Sequence, residues 1–403
     1  MTLTRDEGAR SPWVSVWFSP RLTIERLVAT RPTYLVWPLA ILGTVASLYN
    51  QISVIDGATY LLNWQLALGL VLLGILVGIA WLYLAGLLLS WIGRLLGGRA
   101  PALHLRAAFA WSSVPTILGF IVIVAIGAAN GRGTAQDLVP LLVAASSLWS
   151  LIVFLLMLGR IEHFGFWRTI LTYVFNLVLG LAAALFIRGL LYQPFNIPSA
   201  SMSPTLLVGD YVLVSKFAYG YSRFSPPFSA PLPSGRIFSA EPTPGDVVVF
   251  RVSKDQAVDY VKRVVGLPGD RIQMKQGQLY INDTPVKREP LARIFDDGAC
   301  GSASGTSARR WQETLPNSVT YETLDCVDNS FLDSTDVYTV PEGHFFMLGD
   351  NRDNSTDSRV LSQVGYVPFD NLIGRVSLIF FSREDGGGAP ARVRTDRIGK
   401  LVR

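Results

Sequence analysis

Histidine and cysteine are nearly missing from this chain: three of the first and two of the second in 403 residues. No CxxC pair and no Cys/His cluster occurs, so a structural or catalytic zinc site is not expected. No dense Lys/Arg run with interleaved aromatics appears, and the net charge is only +5, much of it in short loops beside apolar runs. Nucleic acid is therefore excluded as a partner. The apolar stretches also lack the paired acidic residues of an ion pathway. The first 31 residues carry five arginines but no central apolar core, so a cleavable signal peptide is not expected. No cofactor is expected either.

What is abundant is apolar sequence: 50% of residues are hydrophobic and 16% charged. The two kinds are segregated. Five stretches are long and apolar enough to span a bilayer, at about 34–55, 65–92, 108–128, 138–158 and 170–192. Arginine separates their loops by side. Arg5, Arg10, Arg21, Arg26 and Arg31 precede the first span, Arg94, Arg99 and Arg106 lie between the second and third, and Arg160 and Arg168 between the fourth and fifth. The loop near Asp56 has no Lys or Arg, and the loop over 129–137 has only Arg132. The positive-inside rule then predicts a cytoplasmic N-terminus, five crossings and an extracytoplasmic C-terminal half.

The C-terminal half reads as many short strands between Gly/Pro turns, the pattern of an all-β domain. Strands are expected at 211–214, 247–250, 259–265, 278–281, 337–347 and 372–381. Residues 294–335 are polar, hold both cysteines and read as an insertion. If this half lies outside the cytosol, Cys300 and Cys326 can close a disulfide loop of about 25 residues, worth about 3 kcal/mol; the alternative is two unrelated thiols.

Three stretches carry candidate chemistry. In Pro198-Ser-Ala-Ser-Met-Ser-Pro204 the prolines keep the chain extended or turned, so Ser199 and Ser201 can face one side as nucleophile and neighbouring donor. The competing reading is a Ser/Pro linker leaving the membrane. A serine nucleophile needs a base. His344 is the only histidine in this half, since His104 and His163 fall in loops assigned to the cytoplasm. Lys262, flanked by apolar residues in Tyr260-Val-Lys-Arg-Val-Val265, is the other candidate: burial lowers an amine's pKa and frees its lone pair. Read alone, it is a solvated strand lysine. Gly349-Asp-Asn-Arg-Asp-Asn-Ser-Thr-Asp-Ser-Arg359 is a tight polar loop in which Asp357 can pair with Arg359 and Ser355 can orient a lysine amine. It also reads as a surface turn or calcium loop, against which the interleaved arginines argue.

Two family resemblances follow. Trp17-Phe-Ser-Pro-Arg21, Ile24 and Arg31-Pro32 ahead of the first span, with the five-span count, resemble the Yip1 family over about residues 13–190. That resemblance implies a membrane scaffold and no catalytic residue. The second half resembles the type I signal peptidases, the S26 serine protease family. It does so through Ile197-Pro-Ser-Ala-Ser-Met-Ser-Pro-Thr-Leu206, Gly209-Asp-Tyr-Val-Leu-Val-Ser-Lys-Phe217, Pro244-Gly-Asp-Val-Val-Val-Phe250, Lys262-Arg-Val-Val-Gly-Leu-Pro-Gly-Asp270 and the 349–359 loop, in that order. The resemblance implies Ser201 as nucleophile and Lys262 as general base, with Ser199 and the Ser201 N–H as the oxyanion hole. Ser355 would hydrogen-bond the Lys262 amine, and Asp357 and Arg359 would hold its loop. Ile197 and Val261 would line shallow pockets for the small residues of an Ala-x-Ala site. The implied substrates are secretory preproteins, the implied surroundings a lipid bilayer and a secretion translocon, and the implied location a bacterial plasma membrane. Ala200 stands where the family often has Gly, and Val360 to Gly365 replaces its usual aromatic-Gly pair.

The expected layout is a cytoplasmic segment (1–33), a Yip1-like region (34–169), a fifth span that is also the peptidase anchor (170–192), a catalytic β-domain (193–383) and a basic tail (384–403). The rival is a scaffold whose β-domain binds exported chains without cutting them.

Overall fold

The computed structural model describes residues 11–56, 64–130, 138–225, 235–254, 258–295, 299–300, 307–386 and 389–402. The expected loop at 129–137 lies almost wholly outside these residues. So do parts of the loop after Asp56 and of the 294–335 segment.

The chain divides into two units, residues 1–181 and 182–403. The first is helical. Helix α1 (Pro12–Phe18) and α2 (Pro20–Thr30) each begin on a proline, whose missing N–H costs nothing in a first turn. Then come α3 (Val36–Asp56), α4 (Trp64–Leu95), α5 (Ala102–Ser112), α6 (Val114–Asn130), α7 (Leu138–Ile161) and α8 (Phe166–Phe186). The core of this unit gathers around fully buried Trp111, with Ile24, Leu39, Leu82 and Met157. The Trp111 indole N–H donates to the Tyr34 carbonyl at 3.1 Å. Trp111 is thus a packing centre of this unit.

Among the described residues, four helical stretches are long and apolar enough to cross a membrane: Ala67–Leu95, Ala102–Ala128, Leu138–Ile161 and Phe166–Leu191. The stretch expected as the first span forms α3, which is not one of the four.

The second unit is antiparallel β. Its main sheet runs in the order β1-β2-β15-β3-β4-β13-β14, with β16 beside β15. These strands are β1 (Tyr192–Asn196), β2 (Asp210–Ser215), β3 (Val247–Arg251), β4 (Asp259–Gly266), β13 (His344–Leu348), β14 (Val367–Pro368), β15 (Leu372–Gly386) and β16 (Ala389–Val393). A second sheet holds β8 (Lys287–Pro290), β9 (Ile294–Phe295), β10 (Ser307–Thr314) and β11 (Thr320–Asp325). A third holds β5 (Arg271–Lys275), β6 (Gln278–Ile281), β7 (Thr284–Pro285) and β12 (Tyr338–Thr339). Under the main sheet, Ile197, Met202, Leu206, Val212, Val247, Val249 and Ile379 form one apolar cluster.

Three details differ from expectation. The apolar run to residue 192 is not one helix: α8 ends at Phe186, a single π-turn covers Ile187–Leu191, and the chain enters β1. The 294–335 segment contains the β10–β11 hairpin. The final residues are also not a free tail. Arg397 reaches back to Asp210 with N–O distances of 3.0 and 2.5 Å, a contact that is almost wholly buried.

Candidate active site

Ser201 sits in a single 3-10 turn, Ala200–Met202. Ser199 before it is extended, with φ −130° and ψ 155°, and Ser203 after it is extended too, as a residue preceding a proline must be. The Ser199 and Ser201 hydroxyls lie 3.3 Å apart. Met202, 1% exposed, anchors the turn in the apolar cluster beneath.

Strand β4 supplies the amine. Lys262 pairs with Val248 of β3, and alternate residues of a strand face opposite sides. Lys262 and Arg263 therefore point apart, the first to Ser201 and the second into the domain. The Lys262 Nζ donates to Ser201 Oγ at 2.5 Å. Burial pushes this amine down to about 8, and Asp357 and Asp350 hold it from falling further. A short contact between an amine of that pKa and a serine hydroxyl is competent for proton abstraction near neutral pH.

The loop after β13 packs on the Ser201 turn. Asn351 N–H donates to the Ser201 carbonyl (3.2 Å), and its side-chain amide donates to the carbonyls of Ala200 (3.3 Å) and Ala299 (2.7 Å). Arg359 grips Asp357 with two bonds of 2.8 Å and caps the Arg352 carbonyl at 2.6 Å. Burial opposes the Asp357 charge, but Arg359 and the Gly349 N–H outweigh it and hold the carboxyl below its ordinary range. Ser355 lines the same cavity as Ser201 and Lys262. The bond expected between its hydroxyl and the Lys262 amine is not formed; the amine bonds Ser201, and Ser355 instead helps hold Asp357 charged.

Gly349 is where sequence choice is tightest. A β-carbon there would lie 2.2 Å from Ser355 Oγ and 2.6 Å from the Ser201 carbonyl oxygen. Gly349→Ala is therefore expected to displace the Ser201 turn. A shift of about 1 Å costs roughly 100-fold in rate, so kcat should fall about that far while KM stays near wild type. A variant within threefold of wild type would show that the turn yields freely.

The cavity over these groups has a volume of about 640 Å³ and is walled by Phe195, Ile197, Val249, Val258 and Val261 on its apolar side. Ile197 and Val261 are thus where small-residue pockets were expected. His344 is not part of it; its Nδ1 faces the Glu342 carbonyl at 2.9 Å. Cys300 and Cys326 form a disulfide with Cα atoms 5.7 Å apart. Ala299 beside it accepts from Asn351 and Asn354, which links the disulfide to the loop under Ser201. Among the described residues no group of His, Cys, Asp or Glu could hold a metal ion.

Sequence reading missed a second buried lysine. Lys216 is 1% exposed, and burial likewise lowers it to about 8. Its partners decide its role: Gln193 Oε1 at 2.8 Å and the Ser225 carbonyl, both acceptors without a proton to lose. Lys216 joins β1 to the 222–225 turn; only Lys262 meets a hydroxyl.

A serine hydroxyl against a buried amine, in an open cleft on a β-domain that follows an apolar helix, defines a serine hydrolase held at a membrane. Comparison with known proteins narrows the class. Residues 170–381, more than half of the chain, match the family described as signal peptidase, peptidase S26. Residues 14–187 match the Yip1 domain. Signal peptidase I of Rickettsia conorii (strain ATCC VR-613 / Malish 7) is 44% identical over 207 residues, covering 49% of this chain and 75% of that protein. Signal peptidase I of Rickettsia massiliae (strain Mtu5) is 43% identical over 215 residues, covering 51% and 78%. A signal peptidase I crystal structure from Enterococcus faecalis V583 is 26% identical, with a TM-score of 0.20, covering 34% of this chain and 98% of that one. The chain belongs to the signal peptidase family, peptidase S26. It is a signal peptidase and a serine hydrolase, joined to an N-terminal Yip1 domain.

Proposed function

We propose that this peptidase removes signal peptides from secretory preproteins with a Ser201/Lys262 dyad, cutting after small residues of the Ala-x-Ala type. The observation that carries the reading is the 2.5 Å contact between Lys262 Nζ and Ser201 Oγ inside the cavity. Neutral Lys262 accepts the Ser201 proton along that line while Oγ attacks the carbonyl at the end of the signal peptide. Ser199 Oγ and the Ser201 N–H face the developing oxyanion. The ammonium of Lys262 then protonates the departing amine. Water, losing its proton to Lys262, releases the acyl group and regenerates Ser201. Asp357 and Arg359 keep the 349–359 loop in place, and Ser355 stays beside the amine as a packing neighbour.

The same reading puts the N-terminus in the cytoplasm of a bacterium, with five crossings of the plasma membrane and the β-domain outside. It rests on the arginine-rich and arginine-poor loops and on α3 serving as the first crossing beside the four longer apolar stretches. The domain layout given above goes with it, except that the last residues are part of the β-domain. A secretion translocon would deliver the substrate.

The test is a preprotein with a single Ala-x-Ala site, incubated with the detergent-purified full chain. Cleavage is expected at the bond after the second alanine. Leucine in place of that alanine should reduce kcat/KM by 100-fold or more, since overfilling a pocket costs about 1–3 kcal/mol and misplaces the scissile carbonyl. Cleavage at another bond, or equal cleavage of the leucine substrate, would refute the specificity. No cleavage by the folded chain would favour the scaffold reading.

A further inference from the structure

A second cavity, of about 560 Å³, lies in the helical unit, far along the chain from the residues of the peptidase site. Its walls include Leu155, Phe166 and Ile170 on the apolar side and Arg21, Arg160 and His163 on the polar side. Three elements build it: α2 brings Arg21, α7 ends with Arg160, and the turn into α8 carries His163. No carboxylate lines it among the described residues. Arg21 is exposed and makes no hydrogen bond or ion pair with another described residue. Arg160 gives its Nε and Nη2 to Glu25 at 3.0 and 2.7 Å, an exposed pair that fixes the guanidinium at the rim. Glu162, the nearest other acid in sequence, is turned away and accepts from the Ala100 N–H at 3.2 Å.

The position of the cavity selects its ligand. Leu138–Ile161 and Phe166–Leu191 are both candidate spans, and only four residues join them. Their junction therefore sits at the membrane–water boundary, whichever side that is. Phe166 and Trp167 at this junction are 70% and 79% exposed, as aromatic side chains are at the level of lipid headgroups. A cationic mouth over an apolar groove, at headgroup depth, fits a phosphate diester with acyl chains and not a free anion, which has no use for the leucine and phenylalanine wall. We infer that this cavity binds one anionic phospholipid, its phosphate between Arg21 and Arg160 and its acyl chains along α7 and α8. The inference does not depend on the Ser201/Lys262 reading.

Native mass spectrometry of the full chain in detergent, titrated with phosphatidylglycerol or phosphatidylcholine, tests it. One phosphatidylglycerol is expected to bind in preference to phosphatidylcholine. Arg21→Gln should weaken it about fivefold, and Arg21→Gln with Arg160→Gln roughly 25-fold, the usual scale for basic residues at an anionic surface. Arg160→Lys should keep most of the binding, and Arg26→Gln, an exposed cation that does not line the cavity, should keep all of it. If the double variant does not fold, the exposed single change Arg21→Gln still decides. Undiminished binding by Arg21→Gln, equal binding of phosphatidylcholine, or displacement of the lipid by millimolar inorganic phosphate would each overturn the assignment, the last in favour of a soluble-anion site.

Discussion

Ser201→Ala and Lys262→Met are each expected to abolish preprotein cleavage while leaving a folded protein. Removing a nucleophile that acts as a unit with its base typically costs on the order of 10⁶ in kcat, and removing a general base alone about 10²–10⁴. Methionine is the chosen replacement because it fills the lysine's volume without a charge. Lys262 is 3% exposed, so its amine is held where solvation is poor. An apolar side chain there relieves that cost, and activity rather than stability should report the change. The pH profile gives an independent reading of the same group. Burial lowers the Lys262 amine to about 8, so near pH 7 roughly a tenth of it is neutral. The wild-type kcat/KM should climb about tenfold per unit below pH 8 and flatten above it. The sign follows from the base needing its lone pair: acid protonates it and removes activity. Lys262→Met retaining more than a tenth of wild-type kcat/KM, or a wild-type limb set near pH 6.5 as for a histidine, would exclude Lys262 as the base.

Much of this site is readable in the chain because its parts are short, local motifs. Pro198 and Pro204 bracket the Ser201 turn, and the apolar flanks of Lys262 announce a buried strand. The β2, β3 and β4 strands follow turn-then-apolar runs and form where those runs predict. The β10–β11 hairpin was not readable. Its inward side chains include Glu313, Thr323 and Asp325, buried beside Arg288 and Arg352, so its sequence lacks the apolar alternation that marks a strand. The end of the last apolar helix was hidden for the opposite reason. Hydropathy continues through Ile187-Arg-Gly-Leu-Leu191 into the strand, and nothing apolar marks where helix gives way. The Arg397–Asp210 contact joins residues 187 apart, and no local pattern pairs them. Ser355 shows the limit of motif transfer: the residue is where the pattern puts it, but its hydroxyl bond to Lys262 is absent.

Breaking the ion pair behind strand β4 is expected to destabilise the β-domain by several kcal/mol and to cost cleavage by another route. Arg263 and Asp350 are 0% and 1% exposed and meet in two bonds of 2.8 and 2.6 Å. Thr205, four residues after Ser201, donates to the same carboxylate at 2.5 Å, and the third guanidinium nitrogen reaches the Gly245 carbonyl at 2.7 Å. The guanidinium also lies 4.0 Å from the centre of the Tyr321 ring. This knot ties the segment after Ser201, strand β4 and the 349–359 loop together. Asp350→Ala would leave a desolvated guanidinium without its counter-charge, which costs about 3–5 kcal/mol. For a domain of this size that lowers the Tm by roughly 6–20 °C. Arg263→Met paired with Asp350→Leu removes both charges. It should recover most of that loss, because the desolvation penalty disappears with the ions. Cleavage should not recover with it, since Thr205 loses its acceptor and the Ser201 segment its tie to β4. Thermal unfolding of the detergent-purified variants, followed by far-UV dichroism at strand wavelengths, supplies the first number, and preprotein cleavage below the transition supplies the second. A single variant as stable as wild type would mean water reaches the guanidinium. A double variant that cleaves at the wild-type rate would mean the Ser201 turn is held by the Asn351 bonds alone.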